Sequence, residues 1–320
     1  MTVLVRLCLA LITLGVCGHA GSAAFPDRAI HIVVPFPPGG PVDVVAHIVG
    51  PRLSERLGQS VNIDSLAGDD GIKGSDLVAK APPDGYTLLL ASSSHTIHPG
   101  TYSKLPFDTE KAFAPVSLLA ASQLILVISP SLPVDSVEEL IAYAKSHPRM
   151  LHYASGGPGG PTQLAFVLFK ITTGAEIIHA PYDGGAAALE AVANDKAQVM
   201  LAPLVAALPM VHDGRLRALA VSGAHPAPAA PELPTIAETL PGFTAVAWFG
   251  VLAPAGTPAA VIARLSTEFD YIVHQPDTVK ELAAIGGEPV GGSPATFAAF
   301  IRAEIPKWIR VAKEAGIHIE

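Results

Sequence analysis

Ile32-Val33-Val34-Pro35-Phe36-Pro37-Pro38-Gly39-Gly40-Pro41-Val42-Asp43 carries a short apolar run into a loop of prolines and glycines, and a helical pattern then begins. Pro37, Pro38 and Pro41 lack an N–H and fix φ, so the path is stiff. Gly39 and Gly40 carry no side chain, which leaves backbone N–H groups bare where the helix starts. A helix N-terminus has unpaired donors and a partial positive charge. The stretch therefore reads as a preformed anion cradle that needs no arginine, with Asp43 steadying the helix start.

Outward from this loop, strand-like and helix-like runs alternate. Ala29–Pro35 is the first strand. Val42, Val45, Ala46, Val49, Leu53 and Leu57 follow at helical spacing, and Gly58 stops the helix. A helix over Ser75–Ala81 and a strand over Tyr86–Ala91 come next. Strands are expected at Leu124–Ser129, Leu151–Ala154, Glu176–Ala180, Gln198–Ala202, Leu216–Ser222 and Ala245–Ala253. Ser136 and Glu139 form a capping box opening a helix that ends near Pro148. Helices over Thr162–Thr172 and Ala186–Asn194 separate later strands. After Pro258 the pattern is helical, with a kink expected at Pro306, and this tail is expected to pack back on the first domain. Such strand–helix–strand repetition predicts an α/β fold of parallel sheets covered by helices, with ligand sites at the strand C-terminal ends.

The chain has 320 residues, 15% of them charged, with 29 glycines and 30 prolines. Residues 1–24 read as a signal peptide, with Arg6 ahead of the apolar run Leu7–Val16 and small residues before a cut after Ala24. That run is short for an uncleaved anchor, and Val16 ahead of Cys17 disfavours a lipoprotein site. Both cysteines, Cys8 and Cys17, lie in this leader, so the mature chain has no thiol chemistry. The remainder suffices for two domains, and we place the crossings between them near residues 124 and 247. Lobe 1 is then 25–123 with 248–320, and lobe 2 is 124–247, with two segments passing the hinge. A net charge of −8 without a basic run argues against nucleic acid or anionic membrane as partner.

Three further loops share the character of the first. Tyr153-Ala154-Ser155-Gly156-Gly157-Pro158-Gly159-Gly160-Pro161-Thr162 is again strand, glycine–proline turn, helix. Ala180-Pro181-Tyr182-Asp183-Gly184-Gly185 follows the next strand, and Ala91-Ser92-Ser93-Ser94-His95 closes the Tyr86 strand with hydroxyls. A molecule held by all four would lie between lobes. Neither glycine loop has dinucleotide or Walker spacing. The serines have no nucleophile elbow, so a hydrolase is the weaker reading. His95 and His98 lack the third ligand of a metal site. Asp69 and Asp70 read as a solvated turn, and Trp248 and Phe249 as core or an apolar cleft wall. No cofactor is expected.

The segments "FPDRAIHIVVPFPPGGPVDVVAHIVGPRLSERLGQSV", "PPDGYTLLLASSSHTIHP", "LHYASGGPGGPTQLA", "HAPYDGGAAAL", "GRLRALAVSG", "LPTIAETLPGF" and "FGVLAPAGTP" resemble the Bug family, the periplasmic solute receptors of tripartite tricarboxylate transporters. The resemblance runs from about Phe25 to the end. It implies a two-lobed, hinged periplasmic binding-protein fold that holds small carboxylates through backbone groups of opposing loops. The ligand-binding set it suggests is Phe36, Pro38, Gly39, Gly40, Asp43, Ser92, Ser94, Ser155, Gly159, Thr162, Tyr182, Asp183 and Gly184, with no catalytic residue. The implied partner of this monomer is a membrane permease, with a signalling protein as the alternative. Three positions depart from the family pattern. The arginine often found after the second strand is absent from Ser65–Gly71, Asp183 stands where a lysine is common, and Gln163 where a histidine is common.

Overall fold

The computed structural model describes residues 25–318 except Pro158, so the expected leader, with Cys8, Cys17 and the expected cleavage point, lies outside the described residues. The chain runs β1 (Ile30–Val34), α1 (Pro41–Leu57), β2 (Val61–Ser65), a 3-10 turn at Asp69–Gly71, α2 (Ile72–Ala79), β3 (Thr87–Ser92), α3 (Ser94–Thr101) and β4 (Phe113–Ile128). It continues through α4 (Val137–Ser146), β5 (His152–Ser155), α5 (Pro161–Thr173), β6 (Ile178–Pro181), α6 (Gly185–Ala193), β7 (Val199–Pro203), α7 (Leu204–His212) and β8 (Arg217–Val221). Last come α8 (Ile236–Thr239), β9 (Val246–Pro254), α9 (Ala259–Val273), α10 (Pro276–Ala284), β10 (Glu288–Gly291) and α11 (Pro294–Ala315).

The strands join in the order β2-β1-β3-β9-β4-β7-β5-β6, with β8 and β10 also on β4. The α/β expectation holds, with one refinement: the sheet is mixed. β1 is parallel to β2 and β3, and β5 to β6 and β7, whereas β9 and β4 return antiparallel beside each triplet. β4 is the strand that serves both halves. Its residues Phe113–Gln123 pair with β9, and Leu124–Ile128 pair with β7 and β8.

Alternation along β1 shows how the halves bury themselves. Ile30, Ile32 and Val34 enter one core with Val45, Val49 and Leu53 of α1 and Leu265 and Phe269 of α9. Val33, on the opposite face, joins Leu89, Trp248, Leu252 and Phe297, as the two-residue period of a strand requires. The second half repeats the arrangement, with Leu126, Tyr153, Phe166 and Phe169 on one face and Ile125, Val127, Leu189 and Met200 on the other.

The C-terminal region departs from the sequence reading. It contributes a strand, since β10 pairs with β4, and α11 continues through Pro306 as one helix. Phe297 and Ile301 near the start of α11 bury in the first half. Trp308, Val311 and Ala312 near its end bury with Phe166 and Phe169 of the second. The helix therefore straps both halves of the sheet. It approaches α3 so closely at Gly100 that a Cβ there would lie 2.8 Å from the Ile309 Cα. The capping box also differs in detail. Ser136 Oγ accepts from Glu139 N at 3.1 Å, but Glu139 reaches back to Asp135 N at 2.7 Å.

Candidate functional site

The loop after β1 turns through Gly39 at φ +81°, a left-handed conformation that favours glycine. Gly40 caps α1 at φ −76°, ψ 166°, Pro41 takes the first helical position, and no side chain caps the helix. The buried Asp43 side chain locks this turn from behind. Its Oδ2 accepts from Gly39 N at 2.9 Å and its Oδ1 from Ser65 Oγ at 3.2 Å.

The loop after β5 is built the same way. Gly159 has φ +76°, Gly160 caps α5 at φ −76°, ψ 164°, Pro161 follows, and again no side chain caps the helix. Gln163 takes the place of Asp43, with Gly159 N donating to its Oε1 at 2.5 Å. Sequence reasoning missed Gln163 as a site residue. The signal was present as a repeat, Gly-Gly-Pro-x-Asp in the first loop and Gly-Gly-Pro-x-Gln in the second, too far apart for a search at short fixed periods.

Between these turns lies a cleft of about 530 Å³, lined by the loop from Phe36 to Val42, the serines Ser92 to Ser94, Phe249 and, from the second half, Pro161. Of the residues proposed from the sequence, Phe36, Pro38, Gly39, Gly40, Ser92 and Ser94 line this one cleft. Ser93 caps α3 without a side-chain hydrogen bond, so a third helix N-terminus meets the same space. No lysine or arginine lines the cleft among the described residues. Phe249 forms its apolar wall, while Trp248 is fully buried against Phe297 and Phe300. The 3-10 turn presses on Phe36, because a Cβ on Gly71 would meet its ring at 3.0 Å. A larger groove of about 780 Å³, between α9 and the turn into α11, lies on the outer side of the first half and touches none of these loops.

Two expectations need correction. The Gly39 and Gly40 amides are not the free donors: Asp43 holds the first, and Pro37 O accepts the second at 3.4 Å. The donors left over belong to Val42 and Asp43, and in the second half to Thr162 and Gln163, since hydrogen bonding along each helix begins one residue later, at Val44 and Leu164. Ser155, placed in the ligand-binding set from the sequence, turns its side chain inward. Ser155 is fully buried, 2.7 Å from His179 Nε2, and donates to Gly157 O at 3.1 Å.

Thr162 Oγ1 accepts from Gly156 N at 3.3 Å, and Tyr182 N donates to Ser155 O at 3.0 Å. The second and third loops therefore brace each other, with Asp183 and Gly184 exposed at their rim. Among the described residues, Ser92 and Ser94 engage no protein partner through their hydroxyls.

The histidines behind the serines do not converge on a common point. His98 Nε2 faces Asp70 Oδ2 at 3.1 Å, and His95 Nε2 faces Thr109 O at 3.2 Å. Burial, reinforced by the nearby His98, pushes His95 down to about 3. Because the folded state resists protonating this ring, its contribution is complete above pH ~6.5 and is lost as pH falls towards 3. At pH 5 the loss is about 2 kcal/mol. Urea unfolding at pH 7 and pH 5 should show His95→Gln losing about that much less than wild type; equal losses would refute this role.

Comparison with known proteins agrees with this architecture. Residues 45–317 match the model of the tripartite tricarboxylate transporter family receptor. BugT of Bordetella pertussis is 34% identical over 311 residues, covering 96% of this chain and 95% of BugT. Rpa4515 of R. palustris, solved with adipate, is 38% identical with a TM-score of 0.72, covering 92% of this chain and all of that one. MatC (Rpa3494) of Rhodopseudomonas palustris, solved with malate, is 30% identical with a TM-score of 0.68, covering 90% and 100%. The two turns match in build, each leaving a helix start without a side-chain cap, and the chain belongs to the tripartite tricarboxylate transporter receptor family of solute-binding proteins.

Proposed function

We propose that this protein is an extracytoplasmic receptor that captures a small dicarboxylate between two lobes and delivers it, closed, to a membrane permease of the tripartite type. The observation that carries the reading is the pair of equivalent Gly-Gly-Pro turns, one in each half, that leave helix amides uncapped at the cleft. Each end of a dicarboxylate suits one such start, where backbone donors and the helix dipole favour negative charge. The adipate and malate bound by relatives belong to the same chemical class.

In this reading lobe 1 comprises 25–123 and 248–320, lobe 2 comprises 124–247, and the chain closes by bending where β4 passes from one half-sheet to the other. Ser92 and Ser94 offer hydroxyls, Tyr182 lines the far wall, and the expected leader exports the chain to the periplasm. Asp183, exposed on the third loop, adds a negative charge near the rim and favours ligands that also carry an amine or amide. Calorimetric titration of the mature chain with adipate, malate, aspartate and acetate tests this. Binding of at least one dicarboxylate well ahead of acetate is expected, with Asp183→Asn narrowing any preference for aspartate. Failure of every carboxylate to bind would overturn the ligand class, and an unchanged preference in Asp183→Asn would remove its selective role.

A further inference from the structure

Behind the second glycine turn lies a chain of hydrogen bonds whose direction is fixed at both ends by backbone groups. At one end the Ser155 hydroxyl donates to Gly157 O, an obligate acceptor, over 3.1 Å and accepts from Gly157 N at 3.4 Å. Ser155 Oγ must then accept from His179 Nε2, 2.7 Å away. At the other end Gly159 N–H can only donate, which turns Gln163 Oε1 towards it at 2.5 Å. The Gln163 amide nitrogen therefore faces His179 Nδ1 at 3.2 Å and donates to it. Only one form of His179 satisfies the whole chain: neutral imidazole with its proton on Nε2.

We infer that Gln163 and His179 are positioning residues for the second ligand-gripping turn, and that protonating His179 releases it. A proton on Nδ1 meets the Gln163 amide donors. Rotating the amide to relieve that clash withdraws Oε1 from Gly159 N–H, and the turn loses its anchor. The inference deepens the proposed function, since it rests on this turn holding ligand. The first turn differs, because its anchor is the carboxylate of Asp43, which accepts from either side and stays compatible with a protonated neighbour such as His47, 3.6 Å away.

Groups around His179 support the neutral form. Burial first, and then Lys170 on α5, hold its imidazole below the ordinary histidine value. The Tyr153 ring of β5 stacks on it at 4.8 Å, and burial pushes that phenol up to about 12, so it stays uncharged. Ser155 and Gln163, its hydrogen-bond partners among the described residues, do not titrate.

The test uses the mature, ligand-free chain and ring and amide nitrogen NMR across pH 4.5–8. At neutral pH His179 should show the Nε2–H tautomer, and the Gly159 amide should titrate with the His179 midpoint. Gln163→Glu supplies a carboxylate to both neighbours, so the His179 midpoint should rise and the Gly159 amide should stay locked in acid. An Nδ1–H tautomer in the wild type, or a Gly159 amide indifferent to His179, would overturn the inference. A second arm measures adipate affinity of both proteins at pH 7.5 and pH 5, where their ratio cancels titration of adipate itself. The ratio of Gln163→Glu to wild type should rise about tenfold in acid, and a constant ratio counts against the switch. If adipate binds neither protein, the same ratio is read with whichever dicarboxylate the wild type binds; failure of every carboxylate overturns the ligand class, while the NMR result still decides the switch.

Discussion

Asp43→Ala is expected to weaken dicarboxylate capture about 100-fold, whereas Asp43→Asn should bind as well as wild type or better. The alanine leaves Gly39 N–H and Ser65 Oγ without the acceptor that now joins them at 2.9 and 3.2 Å. Hydrogen bonds to a charged group contribute about 1.5–3 kcal/mol, and an orphaned buried donor costs a similar amount. Much of that loss falls on the geometry of the first α1 turn, because Gly39 N–H is one of the two groups that donate to the carboxylate.

Asparagine keeps an oxygen for Gly39, and Gln163 performs the same task with an amide in the second turn. It also removes a negative charge behind an anion site, a gain of about 1 kcal/mol in a hydrated setting. Titration of both variants with the dicarboxylate that wild type binds best checks this. Wild-type affinity in Asp43→Ala would mean that the lock does not shape the site. Matching losses in both variants would mean that the charge itself is required.

Much of the site was legible because its signals are local. The apolar run of β1, the prolines that stiffen the next loop and the glycines that bare it lie within twelve residues. The same grammar marks β5 and α5. What those signals could not convey was which amide remains free. Gly39 N–H looks exposed in sequence, yet Asp43 four residues on reaches back to it, a choice made by the rotamer and by Ser65 from another strand.

Other misses have the same origin. Only Leu124–Ser129 of the long β4 reads as a strand, because Pro115, Ser117, Ser122 and Gln123 interrupt the first part. That part is held by pairing with β9 and β10 and carries register shifts near Pro115 and Leu118. In α3, two histidines, Pro99 and Gly100 give little helical preference. Packing against α11 supplies what propensity does not, since tertiary burial commonly outweighs it.

Trp308→Ala is expected to cost about 4 kcal/mol of stability. Trp308 is 3% exposed and lies in the core of the second half, with Phe166, Phe169 and Val311 around it. Its indole Nε1 donates to Glu304 Oε2 at 2.8 Å, and Glu304, itself 6% exposed, also pairs with Lys307, which reaches Thr244 O at 3.2 Å. Truncation therefore opens a large cavity and strips one donor from a buried carboxylate. Trp308→Phe should lose less, because an aromatic ring still fills part of the space.

The sequence pattern alone places this region as a tail on the first half, where truncation near the chain end would cost under 1 kcal/mol. Urea unfolding of both variants separates the two pictures. A loss of several kcal/mol in the alanine variant, with an intermediate value for phenylalanine, identifies α11 as a structural tie between the halves. A loss under 1 kcal/mol would show that the helix end merely rests on the second half. The tie also bears on binding, because Ile317, just beyond α11, lies 3.8 Å from where a Gly159 Cβ would stand. Loosening α11 should therefore weaken ligand capture through the second turn as well as stability, and an affinity unchanged in folded Trp308→Phe would sever that link.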